Sequence, residues 1–171
     1  MIVLVCGLSG SGKSYIVDKA KVENIGFVSV KASGLLLAGK LPVSGLDVDA
    51  LIKNQNFLIE QLLLLHANHG NLVVDGHILI ETIEGPQLVP DKFFDQLPIS
   101  SIVFIDSKPD EILRRKPRVL TRIEEIAALS EIEAANGKRL AAKYELLFKT
   151  VTDGDINAFR LALHEAVNKS R

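Results

Sequence analysis

"GLSGSGKS", residues 7–14, follows directly on the apolar run "MIVLVC" of residues 1–6, and the junction of the two decides the fold. A short continuous apolar run ended by glycine has the pattern of a parallel strand covered on both faces. Beyond the glycines, Ile16, Val17 and Ala20 recur at helical spacing. Gly7, Gly12, Lys13 and Ser14 meet the spacing G-x-x-x-x-G-K-[ST] between that strand and that helix. In this context consecutive backbone N–H groups curl around an anion, provided the side chains stay small, as in Ser9, Gly10, Ser11 and Gly12. The positive end of the helix dipole adds to the cradle.

Ser9, Gly10, Ser11, Gly12, Lys13, Ser14 and the adjoining Tyr15 are therefore the candidate nucleotide-binding residues. Lys13 is placed to reach the β and γ phosphates, and the Ser14 hydroxyl to join the shell of a Mg²⁺ ion.

Further strands are expected at "FVSV" (27–30), "NLVVD" (71–75), "SIVFID" (101–106) and "KTVT" (149–152). Helices are expected over 49–68, just after Asp106, over 123–148 and from Asp155 onward. Leu51, Ile52, Leu58, Ile59, Leu62 and Leu63 mark the buried face of the first of these, and Ile126, Leu129, Ile132, Leu140, Tyr144 and Leu147 pack the third. Regular alternation of strands and helices predicts an α/β fold: a five-stranded parallel sheet with crossover helices on its faces. Residues 31–48 are rich in glycine, leucine and turn residues, with "GLLLAG" either a partner surface or a folded helix, and 76–100, with Gly85, Pro86, Pro90 and Pro98, reads as loop-rich.

At 171 residues the chain fits one domain. With 47% hydrophobic and 24% charged residues and a net charge of −1, it matches neither a disordered chain nor a bulk nucleic-acid binder. A single cysteine, Cys6, allows no internal disulfide and suits a reducing compartment, so a cytoplasmic location is expected. The first apolar run is too short and lacks the basic leader of a signal peptide. "FLIEQLLLLHA" is broken by Glu60 and Gln61 and falls short of the roughly 20 residues of a membrane span.

Asp75 ends an apolar strand, and strand ends of parallel sheets meet at the crevice where nucleotides bind. It is the candidate Mg²⁺ carboxylate together with Ser14; a turn cap is the alternative, and Asp106 is a lower-ranked rival. His77, two residues on, either helps orient an attacking group or bonds within its own turn. His66, His69 and His164 have no cysteine or carboxylate at ligand spacing. Arg114, Arg115, Lys116, Arg118 and Arg122 form a basic segment. It reads either as a solvated face or as a mobile lid whose guanidinium groups stabilise charge during phosphoryl transfer.

The order of "GLSGSGKS", "VVDGH", "IVFIDSKPDEILRR" and "PRVLTR" resembles the P-loop nucleoside monophosphate kinases, and most of all the archaeal adenylate kinases and related small adenylate-kinase-like ATPases. The likeness implies the three-layer P-loop NTPase fold, an acceptor-binding excursion at 31–68 and a short lid at 114–125. It implies ATP and Mg²⁺ as cofactors, with Lys13, His77, Arg115, Arg118 and Arg122 as catalytic residues. The chain departs from that pattern where "TRIEE" (121–125) replaces the usual Thr-Arg-Asn-Arg-Asp, and where Glu81 stands in place of an arginine for the acceptor phosphate. The excursion has no arginine either, only Lys31, Lys40 and Lys53, which argues against AMP as acceptor.

The expectation is an ATP- and Mg²⁺-dependent phosphotransferase acting on a nucleotide or other small acceptor. Its alternatives are a slow ATPase and a nucleotide-dependent switch that binds a protein partner through the apolar "GLLLAG".

Overall fold

The computed structural model of the chain describes residues 1–116 and 122–169. Strands β1 (Ile2–Cys6), β2 (Val28–Lys31) and β3 (Leu72–Asp75) are followed by a two-stranded antiparallel hairpin, β4 (Leu79–Thr82) and β5 (Gly85–Leu88). Strands β6 (Ile99–Asp106) and β7 (Leu147–Thr152) complete the main sheet, whose five strands run parallel in the order β2-β3-β1-β6-β7. The helices are α1 (Lys13–Ala20), α2 (Ala32–Ala38), α3 (Val48–His69), α4 (Asp91–Gln96), α5 (Pro109–Arg115), α6 (Ile123–Lys143) and α7 (Ile156–Lys169).

Side chains alternate across a strand, so β1 feeds two cores. Ile2, Leu4 and Cys6 join Leu36, Leu58, Ile59, Leu62, Phe94 and Leu140 on the face covered by α2, α3, α4 and α6. Val3 and Val5 join Ile16, Val17, Phe159 and Leu163 on the face covered by α1 and α7. The result is the expected three-layer α/β architecture, a five-stranded parallel sheet between two helical layers. Among the described residues no helix is long and apolar enough to cross a membrane.

Locally the structure adds to or departs from the sequence reading at three places. Residues 32–38, which the sequence left open as a partner surface or a helix, form α2: Leu36 is buried while Leu37 is left 60% exposed. The segment 76–100 contains the β4–β5 hairpin and α4; its strands are four residues long and one includes Pro86, too short and too broken to carry a period-two signal. Helix α6 ends at Lys143, because Glu145 adopts φ 55° and Leu147 then pairs with Ser101 in the sheet. An ambiguous "LLF" is decided by its strand partner.

On α3 the core stripe runs Leu51, Asn54, Gln55, Leu58, Ile59, Leu62, which is i, i+3, i+4, i+7, i+8, i+11. Ile52 and Leu63 fall outside it and are exposed. Likewise Ile132 of α6 is exposed while Glu133 takes the buried position.

Candidate active site

The loop between β1 and α1 is built on positive-φ glycines: Gly7 at 142°, Gly10 at 93° and Gly12 at 90°. A Cβ on Gly7 would lie 2.8 Å from both the Ile105 carbonyl and Ser11 Oγ, so this turn tolerates no side chain. Lys13 is buried, and its ammonium donates to the carbonyls of Gly7 (2.7 Å) and Leu8 (2.9 Å). Burial lowers its pKa, against the opposing fields of Asp75 and Glu133.

Parallel pairing of β1 with β3 sets Val5 beside Asp75, and the Gly76 N–H donates to the Val5 carbonyl at 3.0 Å. The Asp75 carboxylate thereby meets the first turn of α1, where the Ser14 hydroxyl donates to Asp75 Oδ2. A hydroxyl and a carboxylate side by side are the hard oxygen donors that suit Mg²⁺, so the pair fits that ion. The rival Asp106 is exposed and lies two strands away, its carbonyl accepting the Asp153 N–H at 2.8 Å.

His77 lines the same cleft, and the Gly7 backbone beside its ring favours the charged form. Burial, reinforced by the Lys13 ammonium, pushes its pKa down to about 3, so the imidazole is neutral near pH 7.

Of the basic segment, Arg115 reaches the glycine loop. It pairs with Asp153 at 2.6 Å, lies 3.6 Å from Glu111, and donates to the Gly10 carbonyl at 3.2 Å. Lys116 bonds to Ser9 Oγ. Arg114 points outward, paired among the described residues with Glu111. Arg122 caps α6, its backbone N–H donating to Glu125 at 3.2 Å, and is not part of the cleft lining. Arg118 lies outside the described residues. Arg139 is bound to Asp91 and Asn136, away from the cleft.

Two acidic residues that the sequence reading did not place turn out to brace the loop. Asp153, in the turn after β7, accepts from Ser107 Oγ at 3.1 Å and sits where a Cβ on Gly12 would have to go. Glu133 of α6 is fully buried, and its Oε1 accepts the N–H groups of Gly7 (3.0 Å) and Ile78 (3.1 Å). Its Oε2 has no hydrogen-bond partner among the described residues, and burial raises the pKa of the Glu133 carboxyl. The available signal was its place in the sequence: Ile126, Glu133 and Leu140 stand seven residues apart on one apolar stripe of α6.

The loop opens into a cleft of about 500 Å³. Tyr15, 54% exposed, stands at its rim on the glycine-loop side. Walls from α2, α3 and α4 bring Leu36, Leu58, Phe93, Asn54 and Gln55 to the side beneath β2 and β3. Glu81 is not among them. Alternation along β4 turns Ile80 into this cleft and Glu81 into a smaller neighbouring one, beside Lys116 and Leu129. Lys31, Lys40 and Lys53 are exposed and line neither.

Residues 6–133 match the family model described as AAA domain, and the chain belongs to that family. No curated protein matches the sequence. Among solved structures, the chain is similar to shikimate kinase from Aquifex aeolicus vf5, with 16% identity, a TM-score of 0.59 and 98% of each chain covered. It is also similar to a gluconokinase from Sinorhizobium meliloti 1021, with 16% identity and a TM-score of 0.54, over 97% of this chain and 95% of that one. The fold is that of the P-loop kinases.

Proposed function

We propose that this P-loop chain of the AAA domain family is an ATP- and Mg²⁺-dependent phosphotransferase that delivers the γ phosphate to a small acceptor. The observation that carries the reading is a juxtaposition: the glycine loop with Lys13, and the Ser14–Asp75 pair, open directly into a cleft large enough for an acceptor. In this reading the whole chain works as one kinase-like domain, with residues 31–68 forming the acceptor wall and 114–125 the lid.

Ser14 and Asp75 would hold the ion, which when bound would supply positive charge to the phosphates. Backbone N–H groups of residues 9–14 bind and orient the phosphates. Lys13 and Arg115 bring positive charge to where the equatorial oxygens of the transferring group gather negative charge. Arg115 is held in place by Asp153 until then, and Arg122 and Arg118 would act only on closure of the lid. His77, neutral, orients the attacking group as a hydrogen-bonding partner and not as a strong base.

The similar solved structures are named for kinases of shikimate and of gluconate, which supports a small hydroxylated acceptor over a nucleoside monophosphate. ADP release from ATP and Mg²⁺ should rise when the right hydroxyl compound is added. A rate indifferent to every added acceptor would favour the slow ATPase instead.

A further inference from the structure

Resting on that reading, we infer that the acceptor is an uncharged molecule with an apolar body and a hydroxyl, its polar edge read by Asn54 and Gln55. Both amides stand on the buried stripe of α3, at 2% and 6% exposure, and both line the cleft. Asn54 Nδ2 donates to the Pro42 carbonyl at 2.8 Å, which fixes the amide so that its oxygen is the free group. That Oδ1 is buried without a hydrogen-bond partner among the described residues. The Gln55 amide makes no side-chain hydrogen bond among them either. A buried acceptor atom without a donor is costly to leave so; a ligand O–H or N–H meets the Gln55 amide first, and supplies the enclosed Asn54 oxygen once the side chains over it give way.

Apart from Ser33, the rest of this wall is hydrocarbon: Leu36, Val43, Leu46, Leu58, Ile80 and Phe93. Among the described residues, the cations lining the cleft are Lys13 and Arg115, both at the glycine-loop end and both already engaged, with the Gly7 and Leu8 carbonyls and with Asp153. A carboxylate or phosphate on the acceptor would lose its water on this wall with no guanidinium or ammonium among the described lining residues to replace it. An uncharged ring or chain loses nothing there and gains the apolar contact.

The test sets uncharged hydroxyl compounds (adenosine, thymidine, pyridoxine) against anionic ones (AMP, shikimate, gluconate), with ATP and Mg²⁺, and detects the new phosphoester by mass spectrometry. The inference expects an uncharged compound to be phosphorylated with kcat/KM at least tenfold above any anionic one. Gln55→Leu, close in volume, should then raise the acceptor KM about tenfold or more, with a smaller change in the KM for ATP. Phosphorylation of an anionic compound at equal or higher kcat/KM overturns the inference and leaves phosphotransfer standing. ADP formation with no phosphoester on any compound overturns phosphotransfer itself, and the inference with it.

Discussion

The carboxylate of Glu133 accepts the backbone N–H of Gly7 at 3.0 Å, across 126 residues of sequence. One oxygen of a helix that follows the basic segment thus holds the first glycine of the phosphate loop, and also the N–H of Ile78, next to His77. The arrangement fixes two edges of the cleft to α6.

Glu133→Gln is expected to lower kcat, because the amide cannot match the charge of the carboxylate toward both N–H groups. The pH dependence has a definite sign. Burial raises the Glu133 pKa above the ordinary 4.5, so between that value and the raised one the native state holds a proton that the unfolded chain has released. Stability therefore falls as pH rises through this window, and Glu133→Gln should remove that part of the slope. Chemical denaturation at a series of pH values checks it; an unchanged slope would refute the assignment.

Gly12→Ala should abolish nucleotide binding, since its φ of 90° disfavours a side chain and the new Cβ would strike the Asp153 carboxylate. Gly26→Ala, at φ 82° with nothing within 4 Å, should cost only about 1–2 kcal/mol of stability and leave binding intact. Calorimetric titration with ATP analogues and thermal melts separate the two.

Arg115→Ala should reduce kcat about 100- to 1000-fold with a smaller change in the KM for ATP, as for a group that acts on developing charge. Arg114→Ala, which removes only an exposed pair with Glu111, should stay within about twofold. Equal effects of the two would count against Arg115 in the site.

With its pKa held at about 3, His77 should contribute no inflection to the pH profile of kcat between about pH 5 and 8. His77→Gln should lower the rate evenly across that range. A wild-type inflection near pH 6.5 that the variant lacks would show a titrating histidine instead.

Much of this was legible in the sequence. The glycine spacing between an apolar run and a helix gave the loop, and the apolar strands "NLVVD" and "SIVFID" gave the sheet neighbours that set Asp75 against Ser14. The place after the β6 strand marked the whole basic segment, and Arg115 was singled out within it by its match to a lid arginine of the kinases the chain resembles. What stayed hidden depends on direction. Whether Glu81 or Ile80 faces the acceptor is a matter of alternation within a four-residue strand whose existence the prolines and glycine obscured.

Glu133, Asn54 and Gln55 share one reason for being missed. Each is a polar residue on the apolar stripe of a helix, and a stripe read only for its leucines and isoleucines passes over them. The exposed Ile52 and Ile132, beside them in sequence, drew the helical phase off by one position.

The most direct test of the central claim traces the γ phosphate of labelled ATP in the presence of Mg²⁺ and the acceptor panel. The account expects one phosphoester per ADP formed, lost in Lys13→Ala. Label recovered entirely as inorganic phosphate, at a rate that no acceptor alters, would contradict it.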